Sequence, residues 1–209
     1  MAHSLKLPRM MSPPPPRAAS PRASRRETLI RVAGELFHEL AFDAVTTEMI
    51  GARAGVTGPA LYRHFPSKQA LLIAVLEDPL NELLAHAREI AANVTDPRKA
   101  LEEMIDYHVT RSLQSIPSSL VFLKNEHNVP EDERHRMRRM MRLYAEEWSG
   151  LVTRLRPDLS DAQTRILTHA VFSMINSVPQ FNSGLDPESV GTTIRTAAIN
   201  ALLIPADGT

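Results

Sequence analysis

The stretch from Thr46 to Lys68, TTEMIGARAGVTGPALYRHFPSK, constrains the fold more than any other part of the chain. Thr46-Thr47 opens a short helical pattern that turns Met49 and Ile50 inward. Gly55 stops it, since glycine takes a left-handed turn without a Cβ penalty. Val56 packs in the turn, and Thr57 caps a second short helix carrying Leu61, Tyr62 and Phe65. Pro59 falls in the first turn of that helix, where a missing N–H costs nothing. Pro66 ends the helix, and Ser67 caps the next, beginning Lys68-Gln69-Ala70-Leu71-Leu72. Two short helices around a tight turn, followed at once by a third, predict a helix-turn-helix. Its second helix must stand free to enter a major groove roughly 12 Å wide.

The flanking sequence is helical as well. Leu29, Val32, Ala33, Leu36, Phe37 and Leu40 form one apolar stripe, with Ser24 and Glu27 spaced as a capping box at its start. Beyond residue 67 the pattern predicts helices near 67–92, 97–115, 118–128, 131–155, 160–181 and 187–204. Pro79 is expected to kink or divide the first of these. No period-two alternation bounded by hairpin turns occurs. The fold class is therefore all-α, with about nine helices. Residues 1–23, with Pro13-Pro14-Pro15-Pro16 and scattered Arg, read as a disordered tail. Residues 24–69 read as the helix-turn-helix domain and 70–209 as a larger helical domain.

Charge is neutral in sum but not in distribution. Residues 1–68 hold ten Lys/Arg against five Asp/Glu, and the remainder carries the opposite imbalance. Such a field points the front of the molecule at a polyanion. The chain has no cysteine, which excludes disulfides, thiolate metal sites and cysteine nucleophiles. No signal-like or bilayer-spanning apolar run appears, so a soluble cytoplasmic protein with no membrane partner is expected. No Gly-x-Ser-x-Gly, His-Glu-x-x-His, phosphate-binding loop or dinucleotide fingerprint occurs, and the histidines are scattered. Catalytic residues, a metal site and a cofactor are not expected.

The segment resembles the signature of the TetR family of transcriptional regulators. The likeness rests on Ile50-Gly51, Ala54-Gly55-Val56-Thr57, Leu61-Tyr62-Arg63-His64-Phe65 and Lys68, preceded by Ala33, Leu36-Phe37 and Phe42. It covers about 45 residues, Ile30 to Leu72. The resemblance implies that Thr46 and Thr47 open a helix whose N-terminus meets a phosphate. It implies that Thr57, Gly58, Pro59 and Ala60 face base edges, that Tyr62 and His64 meet phosphates, and that Lys68 binds another. Gly58-Pro59 departs from the usual polar residue and glycine, leaving Thr57 and Arg63 as the main polar readers and Pro59 or Ala60 for a thymine methyl. Arg25 and Arg26, with Arg22, would trail along phosphates or enter a minor groove. Tyr62 and His64 also fit a plainer reading as core cap and exposed helix end, and Arg53 reads as a solvated helix residue.

For the larger domain the resemblance implies a small effector, a homodimer and a near-palindromic operator, most often repressed until the effector binds. Candidate effector contacts are Tyr107, His108, Phe122, Asn125, His127, Met141, Tyr144, Trp148, Phe172 and Asn176. Met137 and Met140 fall in the same group, and a Met- and aromatic-bearing stripe reads equally as ordinary core. Arg134, Arg136, Arg138, Arg139 and Arg142 form either a solvated face paired with nearby Glu and Asp or a clamp for a phosphate-bearing ligand such as an acyl-coenzyme A. The last two helices carry surplus apolar residues, among them Ile166, Val171, Val178, Ile194 and Leu202, which suits the dimer interface. Effector binding would reach the heads through helix 67–92. The alternative is a helical protein–protein adaptor that has lost operator recognition.

Overall fold

The computed structural model describes residues 21–177 and 181–204. Nine α-helices and no strand occur among the described residues: α1 Pro21–Leu40, α2 Thr47–Ala54, α3 Gly58–Tyr62, α4 Lys68–Asn93, α5 Pro97–Gln114, α6 Ser118–Asn125, α7 Glu131–Leu155, α8 Asp161–Ser177 and α9 Pro187–Leu203. A single 3-10 turn, Glu126–Asn128, follows α6. No described helix is long and apolar enough to cross a membrane.

Side-chain caps set four of the helix starts. Thr46, Ser67, Asp96 and Asp186 accept from backbone N–H groups in the first turns of α2, α4, α5 and α9. Gly55 closes α2 at φ 66°, the left-handed conformation expected of it. Thr57 holds the N-cap position of α3 but makes no capping bond, so its hydroxyl stays free.

Three expectations are corrected. Helix α1 is already formed at Pro21, so Ser24 and Glu27 do not open it, and residues 21–23 are helix rather than tail. Nothing between Pro21 and Ser24 breaks a helix, and proline suits a first turn. The rest of the expected tail, residues 1–20, lies outside the described residues. Helix α4 runs unbroken for 26 residues, so Pro79 does not divide it, although the proline leaves the Val75 carbonyl without its intrahelical donor. Helix α3 ends at Tyr62, and Phe65 packs from the turn beyond it. The described part of α8 ends at Ser177, while Val178 lies outside the described residues.

Two apolar cores share the length of α4. The first joins Leu29, Leu36, Phe37, Ile50 and Leu61 of α1–α3, and Phe65 from the turn after α3, to Leu72 and Leu76 of α4, Phe122 of α6 and Met137 of α7. The second gathers Leu84, Leu101, Ile105, Trp148, Ile175 and Ala198 from α4, α5, α7, α8 and α9. The head therefore does not pack by itself: its core runs on into α6 and α7. The seam between the two cores is where an internal space opens.

Candidate functional site

In the head, α2 and α3 meet at close range. A Cβ on Gly51 would lie 2.8 Å from the Val56 carbonyl oxygen, and Val56 N–H donates to the Gly51 carbonyl at 2.9 Å. The absence of a side chain at 51 is what lets the turn fold back onto α2. Leu61 and Ala60 point into the core, and Thr57, Pro59, Tyr62 and Arg63 stay exposed. Tyr62 Oη lies 3.4 Å from Thr47 Oγ1, so the two hydroxyls form one polar edge from adjacent helices.

The expected DNA-facing residues divide into three groups. Thr47, Thr57, Pro59, Tyr62 and Arg63 lie together at the free edge of α2 and α3, beside half-buried Gly58 and His64, and Arg63 has no ion pair among the described residues. Thr46 is committed to capping Met49 N–H at 3.2 Å. Ala60 is buried and its methyl faces the core, so of the two candidates for a thymine methyl Pro59 alone is exposed.

The cations also differ. Lys68 Nζ donates to the carbonyls of Phe42 and Val45, each at 2.8 Å, and lies 4.2 Å from the Phe42 ring centroid. Two of its three donors thus hold the α1–α2 corner. Arg26 pairs with Asp78 and sits 5.2 Å over Phe65, whereas Arg25 is exposed. Arg53 binds both carboxylate oxygens of Glu39, at 2.9 and 3.0 Å, and this hydrogen bonding lowers the Glu39 pKa. That is the solvated helix role expected of Arg53.

A latch ties α6 to the head. Asn125, fully buried, accepts from Phe42 N–H at 2.7 Å and donates to the carbonyls of Phe37 at 3.1 Å and Val121 at 2.7 Å. Lys124 Nζ donates to the carbonyls of His38 and Glu39, at 2.5 and 2.9 Å. Those carbonyls end α1, where helical partners run out and a cation is favoured. Between the latch and the head stands Ala41, held at φ 66°, a conformation that favours glycine.

On its other side α6 borders a cavity of about 470 Å³. The walls are mostly apolar, from Leu80 and Leu83 of α4, Phe122 and Leu123 of α6, Met141 of α7 and Phe172 of α8. Polar groups gather at one node. His108 Nε2 lies 3.1 Å and Ser112 Oγ 3.3 Å from Asn176 Oδ1, and Tyr144 Oη lies 3.2 Å from His108 Nδ1. Burial lowers the His108 pKa to about 4, so the ring is neutral, and burial pushes the Tyr144 phenol up. The size and the balance of surfaces suit a small-molecule site.

Of the expected effector contacts, His108, Phe122, Met141, Tyr144, Phe172 and Asn176 line this cavity. Four do not. Asn125 is turned to the head as the latch. Tyr107 stacks on His86 at 3.8 Å between ring centroids. His127 is exposed on the 3-10 turn, hydrogen-bonded to Asn128. Trp148 stands behind the wall, its ring 4.9 Å from that of Phe172. The sequence reading missed the lip, where Arg111, Ser115, Pro117, Ser118 and Ser119 join the end of α5 to α6. The serine cluster between two helical runs was its available signal.

The arginine run of α7 takes the solvated role. Arg134 pairs with Glu131, Arg136 with Glu77 and Glu133, and Arg138 with Glu126, and none of the five lines the cavity. In α8 and α9, Val171, Ile175, Ile194, Ala198 and Leu202 face the chain's own core. Ile166 and, just past α9, Ile204 remain exposed.

Comparison with known proteins agrees with this architecture. The family described as bacterial regulatory proteins, tetR family, matches residues 29–75, and the tetracyclin repressor-like C-terminal domain matches residues 94–183. The HTH-type transcriptional repressor KstR2 of Rhodococcus jostii is 36% identical over 109 residues, 52% of this chain and 52% of its own. The HTH-type transcriptional activator FasR of Mycolicibacterium smegmatis is 36% identical over 41% of this chain and 39% of its own. The matched region thus spans about half or less of the length of these relatives. A TetR-family regulator from Bordetella parapertussis has the same fold, with a TM-score of 0.70 at 20% identity over 88% of this chain and 98% of that one. The ketosteroid transcriptional regulator KstR2 of Mycobacterium tuberculosis superposes with a TM-score of 0.65 at 19% identity, covering 87% of this chain and 96% of that one.

Proposed function

We propose that this chain, which belongs to the TetR family of bacterial transcriptional regulators, represses its target genes as a dimer on a near-palindromic operator and releases the operator when a small apolar effector fills the cavity beneath α6. The observation that carries this reading is the free edge of α2 and α3. Thr57, Pro59, Tyr62 and Arg63 are exposed, with half-buried Thr47 beside the Tyr62 hydroxyl, while Ala60 and Leu61 anchor α3. DNA is read by such an exposed helix edge, with phosphate contacts setting position and base contacts setting sequence.

Two routes link cavity and head. Helix α4 begins at the head with Lys68 and lines the cavity with Leu76, Pro79, Leu80 and Leu83. Helix α6 lines it with Leu120, Phe122 and Leu123 and grips α1 through Lys124 and Asn125. An effector that fits better when α6 is displaced would shift the head relative to its partner in the dimer. Only such a difference in affinity between two forms can drive release. The exposed Ile166 and Ile204 of the α8–α9 end supply apolar surface for a two-fold contact. Relatives of both signs of regulation match the chain, KstR2 being a repressor and FasR an activator. The cavity's neutral polar node fits an apolar effector better than the anionic part of an acyl-coenzyme A, since none of the five α7 arginines lines it.

The test is fluorescence anisotropy on DNA sequences selected from a random pool by the purified protein. Binding that is sequence-specific, weakens steeply with salt and fits two protomers per site is expected. Failure to enrich any sequence would favour the adaptor reading.

A further inference from the structure

We infer that the effector is uncharged at its buried end and presents a carbonyl oxygen there, which accepts a hydrogen bond from the side-chain amide of Asn176. This rests on the cavity being the effector site, and it names the chemistry that site selects. The polar node fixes its own polarity. An amide oxygen only accepts, so His108 Nε2, 3.1 Å from Asn176 Oδ1, carries the ring hydrogen. The other nitrogen, Nδ1, is then an acceptor, and the Tyr144 hydroxyl 3.2 Å away donates to it. Ser112 Oγ donates to the same Asn176 oxygen at 3.3 Å. His108, Ser112 and Tyr144 have thus spent their donors on one another and on Asn176.

What is left over is the Asn176 nitrogen. Its two hydrogens meet no acceptor among the described residues, while the residue itself lines the cavity. A donor facing an apolar space selects a ligand oxygen, because leaving it unpaired on binding forfeits its water partner with no return.

Charge supports the same answer. No Asp, Glu or Lys is among the lining residues; Arg111, which donates to Glu82 at 2.6 Å but leaves its Nε unpaired among the described residues, and His169 also line the cavity and take no part in the hydrogen bonds of the node. His108 stays neutral at physiological pH. A carboxylate or ammonium on the ligand seated against Asn176 would therefore meet only the neutral groups of the node, and it would bear the cost of leaving water there. A neutral carbonyl bears little of that cost and finds the amide.

The chain's sole tryptophan, Trp148, reports occupancy, since its ring packs 4.9 Å from that of Phe172 on the cavity wall. Titrating the full chain with 2-dodecanone, dodecane and dodecanoate while following Trp148 fluorescence, and operator release in parallel, tests the inference. The ketone should bind about fivefold more tightly than dodecane, the return expected from one neutral hydrogen bond, and dodecanoate no more tightly than dodecane. Asn176→Leu should erase the ketone's advantage and leave dodecane binding intact. Asn176→Asp keeps an acceptor for His108 and Ser112 but removes both N–H donors, so it should erase the advantage without loss of the fold. A carboxylate that ranks first, or a ketone preference that survives both variants, overturns the inference. If no ligand of the three perturbs Trp148, the effector cavity itself is refuted. If the ketone ranks as expected yet leaves operator binding unchanged, the ligand chemistry stands and the regulatory reading falls.

Discussion

The side-chain oxygen of Asn125 sits 2.7 Å from the backbone nitrogen of Phe42, so a helix that borders the cavity also supplies the acceptor for the corner joining α1 to α2. With its two donated bonds, Asn125 satisfies backbone groups from two separate helices and the corner. Asn125→Leu keeps the volume and removes all three bonds. It should lower unfolding free energy by about 2–4 kcal/mol, the cost of buried groups left unpaired. An unchanged urea midpoint would refute the structural role. Lys124→Ala, on the exposed side of the same latch, should cost under about 1 kcal/mol yet shift the effector concentration needed for operator release.

Arginine 63 and arginine 53 provide a matched pair. Arg63 is exposed without an ion pair among the described residues, while Arg53 is bound bidentately by Glu39. Arg63→Ala should weaken operator binding and reduce the slope of log affinity against log salt by about 1. Arg53→Ala should leave that slope unchanged. Anisotropy titrations at several salt concentrations decide the matter, and equal effects from the two variants would place the DNA elsewhere on the head.

Gly51→Ala tests the close approach of α2 to its turn. The new methyl would meet the Val56 carbonyl oxygen at 2.8 Å, and a backbone atom cannot swing aside as a side-chain tip can. A loss of about 1–3 kcal/mol is expected, as for other overpacked sites, with operator affinity falling in step. Thermal denaturation reads the first effect. Stability equal to the parent protein would show that the turn is looser than its geometry.

Acid should weaken the fold through His108. An imidazole in the unfolded chain takes a proton near pH 6.5, and in the folded chain burial delays this to about pH 4. Between those values the unfolded state binds the proton and the native state does not. Stability that is present above about pH 6.5 is therefore lost as pH falls, by up to about 3 kcal/mol. His108→Gln retains a side-chain N–H for Asn176 and should flatten this part of the stability profile. A variant with the same slope as the parent would assign the acid sensitivity to other groups.

The helix boundaries were legible because they are written locally. Glycine at 55 and the caps at Thr46 and Ser67 act within one turn of where they stand, whereas the start of α1 and the end of α3 were misplaced. The cavity was legible in part. Its aromatic and polar residues stood out on α5, α7 and α8, whereas the Ser115–Ser119 lip becomes a wall only once α5 and α6 close over α4. Asn125 was read as an effector contact and Lys68 as a phosphate contact, since a polar side chain in an apolar setting signals either a ligand or an unmet backbone group. Which one applies depends on carbonyls distant in sequence, at Phe37 for Asn125 and Phe42 for Lys68.

Ala41 makes the latch reciprocal. A residue with a Cβ in the left-handed region stays there at a cost of about 1–3 kcal/mol, maintained by whatever surrounds it. Displacing α6 would let that bend unwind, giving back part of the cost of moving the helix. Under the proposed function, linkage would then run in both directions: DNA that grips the head in its present shape would oppose the unwinding and so reduce the protein's appetite for effector by the same factor that effector reduces its appetite for DNA. A promoter-bound dimer would then answer to higher effector concentrations than the same dimer adrift in the cell, which makes the bound population the slower of the two to yield.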